Sequence, residues 1–179
     1  MGNLDLLQQR YFDRISMPWQ SSLSGAERIF FLVYDPSDER RMRARADAFK
    51  LETQKAGHTW SAIDLADTFS NWMSEEPQRE AYFKRPARLE PLLVEYEDYV
   101  IRLVQNTLNG PNHNENAVLA VLGAGSLFGL TKFSRIVEPA SAHIKGRLVV
   151  FYPGERRGPN YHLLGVSDGW NYLAVPITA

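Results

Sequence analysis

Short apolar runs alternate along this chain with longer segments of helical character, and this alternation limits the fold more than any other feature of the sequence. The runs cover residues 28–34, 59–65, 117–122 and 148–152. Helical patterns follow at residues 39–55, 66–74, 92–108 and 127–143. Strands that alternate with helices are typical of a mainly parallel sheet. We therefore expect a three-layer α/β fold with helices on both faces of the sheet.

Details of the runs refine this expectation. Apolar residues are continuous in the first run, which predicts a strand covered on both faces. Gly57 is expected to end the helix at residues 39–55. Pro153 and Gly154 are expected to end the fourth strand. Two further strand candidates near the end of the chain are residues 161–166 and 172–177.

A chain of 179 residues with 44% hydrophobic content can bury one substantial core. The sequence therefore predicts a single domain over residues 1–179. Residues 1–17 form a leading amphipathic helix in this interpretation, ending before Pro18. Its apolar stripe consists of Leu4, Leu7, Tyr11 and Ile15.

This stripe has two interpretations, because an apolar face must be covered either by the domain or by another chain. A leading helix that lies outside the strand–helix alternation is available for a partner, which makes Leu7 and Tyr11 candidate contact residues. Trp19 and Trp72 are candidate anchors beside them, and Trp170 is a third aromatic of this kind. Covering by the domain itself is the alternative.

The balance of charged residues and the absence of cysteine limit the kinds of function that the chain can have. The 20 Lys and Arg residues are balanced by 21 Asp and Glu, so the net charge of −1 gives no overall attraction to a phosphate backbone. Cysteine is absent, which excludes disulfides and thiolate chemistry. Polar residues interrupt positions 1–14, and no apolar stretch approaches the roughly 20 residues of a membrane span. A cytoplasmic location is the expectation.

A glycine cluster follows the third strand, at the position where α/β proteins often bind phosphate. The residues of interest are Gly123, Gly125, Ser126 and Gly129. The third glycine comes one residue too late for a dinucleotide fingerprint, and Lys132 does not directly follow a glycine. Nucleotide binding therefore stands beside a simpler interpretation, in which small residues permit close strand-to-helix packing.

Three carboxylates, Asp35, Asp64 and Asp67, lie at or near the predicted carboxyl ends of strands, where open α/β sheets usually place ligands. Their oxygens are suited to Mg²⁺. Turn formation or helix capping explains Asp35 equally well. A hydrogen bond to a neighbouring loop is the alternative for Asp64.

Two groups of arginines are candidate contacts for an acidic partner or for nucleic acid. One lies on a single predicted helix and consists of Arg40, Arg41, Arg43 and Arg45, followed by Lys50. The other, Arg156 and Arg157, lies in a predicted loop rich in turn-forming residues. A solvated helix face and a simple connecting loop are the respective alternatives.

The sequence offers no recognisable catalytic constellation. His58, His113, His143 and His162 lack metal-ligand spacing, which predicts no metal site. Ser126 follows a glycine but lacks the second glycine of a nucleophile elbow. We therefore expect a protein that is not an enzyme and carries no cofactor.

Several of these segments, in this order, resemble the BrxB family of BREX bacteriophage-defence systems, a family without an assigned activity. The segments are residues 29–36, 63–65, 123–126, 148–154, 163–165 and 172–176. The most specific of them is Phe151-Tyr152-Pro153-Gly154. A shorter middle and the charged loop around Arg156 and Arg157 depart from the family pattern.

The resemblance implies a role in assembly. Members of the family act with a phosphatase-like PglZ protein, a PglX methyltransferase and a BrxC ATPase. This chain is thus expected to be a protein-binding component that contacts the PglZ-like protein, with any association with DNA made through the complex. A degenerate nucleotide-binding domain using residues 123–129, or an accessory DNA-binding subunit, are the alternatives.

Overall fold

The structure, a computed structural model, describes residues 2–171 and 174–179 and, within residues 169–171, the backbone only. The helices in this part of the chain are α1 (Asn3–Ile15), α2 (Glu39–Ala44), α3 (Ala46–Lys55), α4 (Thr68–Glu75), α5 (Arg79–Lys84), α6 (Leu93–Asn109) and α7 (Phe133–Ala140). The strands are β1 (Ile29–Tyr34), β2 (Thr59–Asp64), β3 (Ala117–Leu122), β4 (Arg147–Arg157), β5 (Asn160–Leu163), β6 (Val166–Asn171) and β7 (Val175–Ile177). None of these helices is long and apolar enough to cross a membrane.

The central sheet is mainly parallel, as the alternation of strands and helices predicts. Its strand order is β2-β3-β4-β1-β7, with every pair parallel. An antiparallel hairpin of β5 and β6 extends from the end of β4. Because the main strands are parallel, the carboxyl ends of β1, β2 and β3 lie at one edge of the sheet and their amino ends at the other.

Alternate residues of β1 belong to two separate apolar clusters, because successive side chains of a strand point to opposite faces. Ile29, Phe31 and Val33 join residues of α4, α6 and α7. Phe30, Leu32 and Tyr34 join residues of α1, α2 and α3. All six residues of β1 are buried, which confirms the prediction from its continuous apolar run.

The predicted helix at residues 39–55 is two helices. Arg45 joins α2 to α3 with φ −94° and ψ 0°, and its N–H still donates to the carbonyls of Arg41 and Met42. Its guanidinium reaches back to Asp5 on α1, with Nη1 2.6 Å from Oδ1. Gly57, at φ +88°, follows the end of α3 as predicted.

The prediction of one helix over residues 127–143 is wrong at both ends. A 3₁₀ turn occupies Ala124–Leu127, and α7 begins only at Phe133. Gly129 has φ +78°, a left-handed conformation that interrupts helical continuation. A second 3₁₀ turn replaces the last predicted residues, Ser141–His143. Local apolar spacing does not reveal these interruptions.

The fourth strand does not end at Pro153 and Gly154 as predicted. Pro153 is paired with Tyr34 of β1, and Gly154 is already paired with Leu163 in the hairpin. A Cβ atom on Gly154 would lie 2.1 Å from the carbonyl oxygen of His162, so only glycine allows β5 to approach this closely. The predicted loop carrying Arg156 and Arg157 is therefore the end of β4. The last predicted strand is observed at Val175–Ile177, whereas residues 172 and 173 lie outside the described part of the chain.

Candidate functional site

The apolar stripe of α1 is buried by the domain itself. Leu7, Tyr11 and Ile15 have no exposed surface, and Leu4 is nearly as enclosed. The Tyr11 ring contacts Phe49 on α3 with centroids 5.2 Å apart, and its hydroxyl hydrogen-bonds Thr53 at 2.5 Å. The expectation that Leu7 and Tyr11 are spare for a partner is therefore wrong, because α3 and the sheet already cover them.

Trp72 is also unavailable as a surface anchor. Its ring is buried on α4 against Phe69 and Tyr96, with centroid separations of 5.9 and 5.4 Å. Trp19 is half-buried and stacks on His58, with the ring centroids 3.7 Å apart. The side chain of Trp170 lies outside the described residues.

Arg156 and Arg157 are exposed near the tip of the β4–β5 hairpin. The guanidinium of Arg157 forms an ion pair with Glu155 on its own strand. Arg156 and Asp35 line one small cavity at the carboxyl edge of the sheet, whereas the glycine segment, Asp64 and Asp67 do not line it, so the structure does not combine all the sequence candidates into one site. A contact role for these two arginines stays a prediction.

The glycine segment forms a closed turn. The N–H groups of Ser126 and Phe128 donate to the carbonyls of Gly123 and Gly125, at 3.0 and 3.1 Å. Gly123 has φ +73°, and a Cβ atom there would lie 2.6 Å from Oδ1 of Asp64, so close packing explains this glycine. Gly129 instead faces open space.

Two features of this segment oppose phosphate binding. The Asp64 carboxylate lies beside the turn and already accepts the N–H of Ala66 at 3.0 Å, so that N–H is not available to a phosphate oxygen. The expected helix does not begin directly after the glycines, and the N–H of Ser134 at the start of α7 already donates to Asp168 at 2.7 Å. The helix N-terminus that a phosphate would require is therefore occupied by a carboxylate of the chain itself.

The carboxylates at this edge are bound to neighbouring groups of the protein. Asp64 accepts two hydrogen bonds from the guanidinium of Arg43, one of them at 3.2 Å, and another from the N–H of Ala66. Burial tends to raise the pKa of Asp64, but these donors outweigh it and hold the pKa below the ordinary value. Asp35 caps the turn that follows β1 by accepting from the Ser37 N–H at 2.8 Å, as the capping interpretation predicts. Asp67 directly precedes α4 without a side-chain capping bond.

Three arginines of the basic run at residues 40–45 are paired in the same way, whereas Arg40 and Lys50 form none of the ion pairs among the described residues. Arg41 contacts Asp38 at 2.8 Å, Arg43 contacts Asp64, and Arg45 contacts Asp5. These contacts support the solvated-face interpretation over a nucleic-acid patch. Among the described residues, no group of three or more His, Asp or Glu side chains is placed to hold a metal ion.

An apolar groove that the sequence did not predict lies where α6, the loop after β3 and the β5–β6 hairpin meet. Its volume is about 440 Å³. Val94, Phe128 and Val166 line it and are 64%, 47% and 55% exposed. Leu93, Leu130 and Leu163 supply more deeply placed apolar surface. Large exposed side chains that converge from three segments are typical of an interaction surface.

The rim of the groove carries charges of both signs, contributed by Glu90, Glu97, Lys132 and Arg135. Glu97 is held by the Thr131 hydroxyl and lies 3.6 Å from a guanidinium nitrogen of Arg135. Lys132 is exposed and takes part in none of the ion pairs among the described residues. An apolar interior with a charged rim has the usual anatomy of a protein-binding surface.

Asp168 joins the hairpin to the rest of this groove. The residue is 4% exposed, and its carboxylate accepts from the N–H of Ser134 while its carbonyl accepts from the Ser134 hydroxyl at 3.0 Å. Burial raises the pKa of the Asp168 carboxyl, although the N–H groups of Ser134 and Phe133 act in the opposite direction. The contact fixes β6 against the start of α7 and so positions one wall of the groove.

Replacing Asp168 with Ala is expected to destabilise the domain by about 2 kcal/mol, because buried N–H groups lose their acceptor. Asn keeps an acceptor oxygen and should cost less than about 1 kcal/mol. The raised pKa means that ionisation of Asp168 favours the unfolded chain, so its contribution to stability declines as the pH rises from about 3.8 through the folded value. Denaturant unfolding at several pH values measures both effects. Equal losses for Ala and Asn contradict this role.

Comparison with protein-family models, with curated proteins and with solved structures finds no match for this chain. Support for its function therefore comes from its own residues. The sequence signal for the groove was weak, since Val94, Phe128 and Val166 each fit an ordinary helix or strand pattern. Only the structure, in which these three side chains converge on one groove, distinguishes them from other apolar residues of the chain.

Proposed function

We propose that this chain is a three-layer α/β domain acting as a non-catalytic, protein-binding component of a BREX-type antiphage complex in the cytoplasm. The observation that carries the proposal is the apolar groove lined by Val94, Phe128 and Val166. The partner is the PglZ-like protein, a choice that rests on the family resemblance. The groove replaces Leu7, Tyr11 and Trp72 as the contact surface.

The groove defines the chemistry of the segment that enters it. Its volume of about 440 Å³ accommodates large apolar side chains, which lose contact with water when they meet Phe128 and Val166. Lys132 on the rim is an exposed cation that can meet a carboxylate of the partner, although the buried Asp168 carboxyl already interacts with it. The expected occupant is a segment that presents apolar anchors with an acidic residue beside them.

Co-expression of the tagged chain with the PglZ-like protein encoded beside it tests this proposal. The pair is expected to remain associated at physiological salt and to bind after separate purification. If neither the co-expressed nor the purified pair associates, the proposed partner is wrong. A Lys132→Glu variant should bind more weakly than wild type, because it repels the expected acidic residue.

The two alternatives have less support. Nucleotide binding at Gly123, Gly125, Ser126 and Gly129 is opposed by the closed turn and by the carboxylate of Asp64. DNA binding would use the basic side chains of Arg40, Arg41, Arg43, Arg45, Arg156 and Arg157. It is opposed by the ion pairs of Arg41, Arg43, Arg45 and Arg157, whereas Arg40 and Arg156 form none of the ion pairs among the described residues. A thermal-shift titration with nucleotides and Mg²⁺ tests the first alternative, since a ligand at 100 times its Kd stabilises by about 2.7 kcal/mol. Salt-dependent binding of a DNA duplex tests the second.

A further inference from the structure

A second pocket lies at the opposite edge of the sheet, where the strands begin. Its volume is about 190 Å³, and its walls include Met17, Trp19 and Phe30 together with the cations Arg14 and Arg147. Arg147 is the first residue of β4. This pocket shares no lining residue with the apolar groove.

Arg147 is an unusual residue to find in this position, because it is only 4% exposed and has almost no polar partner. Its Nη1 donates to the carbonyl of Gly146 at 3.0 Å, and its Nε has no hydrogen-bond partner. The Trp19 ring covers the guanidinium, with Cζ 4.5 Å from the ring centroid. A buried guanidinium is normally paired with a carboxylate or another anion, since burying an unpaired charge is costly.

The surroundings of Arg147 are positive. Burial, together with the nearby charges of Arg28 and Arg14, lowers the pKa of its guanidinium to about 10. The guanidinium of Arg28 donates its hydrogen bonds to backbone carbonyls, including those of Leu23 and Ile144. Within the described residues, none of these three arginines forms an ion pair with a carboxylate.

We infer that this pocket binds a small oxyanion, a carboxylate or phosphate group on a small molecule, with Arg147 as its main ligand and Arg14 at its mouth. A guanidinium binds such groups with directed, charge-assisted hydrogen bonds. The walls formed by Trp19, Phe30 and Met17 favour an anion that carries an apolar body. This site is independent of the protein-binding function proposed above.

Glu27 offers a competing explanation for the buried charge of Arg147, namely that the partner of the guanidinium is a carboxylate of the chain itself. It also lines the pocket, but its carboxylate accepts hydrogen bonds from the N–H and hydroxyl of Ser24, at 2.9 and 2.7 Å. If an oxyanion is the true partner of Arg147, the nearby charge of Glu27 opposes its binding. If instead the Glu27 side chain pairs with Arg147, replacing Glu27 leaves the guanidinium unpaired and destabilises the chain.

Titration of the full chain with inorganic phosphate and with benzoate, in chloride at constant ionic strength, tests the inference. The readouts are calorimetry and the indole N–H resonance of Trp19, identified with a Trp19→Phe variant. At least one anion should shift this resonance saturably. Arg147→Met should reduce its affinity at least tenfold, because charge-assisted hydrogen bonds are lost.

Arg147→Met is expected to fold, since an apolar side chain of similar length replaces an unpaired buried charge. Should it not fold, the exposed Arg14→Gln and the Glu27→Gln variants carry the test: the first should weaken anion binding and the second strengthen it. The inference is overturned if neither anion binds the wild type or if binding survives Arg147→Met. It is also overturned if Glu27→Gln destabilises the chain without increasing anion affinity.

Discussion

Replacing Leu7 with Asp is expected to destabilise the domain by about 4 kcal/mol or more. Leu7 is fully buried in the cluster that joins α1 to α3 and the sheet. The change removes apolar contacts, for which truncation of a buried Leu alone costs about 2–5 kcal/mol, and it places a carboxylate where no partner compensates its charge. Such a loss is a large share of the stability of an ordinary domain, about 5–15 kcal/mol.

Denaturant unfolding followed by circular dichroism measures this effect. Leu51→Asp on α3 is the matched control, because Leu51 is 51% exposed and the same substitution there should cost about 1 kcal/mol or less. If Leu7→Asp keeps wild-type stability while partner binding disappears, the stripe of α1 is an interface and its assignment to the core is wrong.

Replacing Phe128 with Asp is expected to weaken binding of the partner at least about thirtyfold, which corresponds to about 2 kcal/mol. Phe128 presents a large, half-exposed ring at the groove and is surrounded there by Val94 and Val166. A carboxylate in its place must lose water when the partner's apolar segment arrives. The free domain should remain within about 1 kcal/mol of wild type, because the ring is not part of the buried core.

Phe83→Asp is the control for this prediction, since Phe83 is a phenylalanine on α5 that is 64% exposed and does not line the groove. Calorimetry with the purified PglZ-like protein gives the affinities, and thermal melts report folding. Equal weakening by both variants means that general surface charge, rather than the groove, determines binding. Unchanged affinity for Phe128→Asp excludes the groove as the contact.

The parts of the fold that followed from the sequence are those in which local pattern and burial agree. The apolar runs of β1 and β3 are wholly buried strands, and Gly57 ends α3. The errors arise where long-range contacts override local signals. Pro153 and Gly154 have turn chemistry, yet pairing with Tyr34 and Leu163 keeps them in one strand.

The site was less predictable than the fold, because the exposure of a side chain depends on which other segments of the chain pack against it. The sequence pattern of an amphipathic stripe such as that of α1 is the same whether a partner or the domain covers it. In the structure, the contacts of Tyr11 with Phe49 and Thr53 on α3 show that the domain covers it. Phe128 was predicted to lie within a helix. The left-handed Gly129 instead leaves it in a loop, where it lines the groove beside the hairpin.

Site-specific photocrosslinking measures the central claim most directly. A photoreactive phenylalanine analogue is placed at position 128 or, as control, at position 83, and each protein is irradiated with the purified PglZ-like partner. The groove account predicts a crosslink from position 128 that maps to one apolar segment of the partner, with little or none from position 83. A bound complex that crosslinks from position 83 and not from position 128 would contradict it.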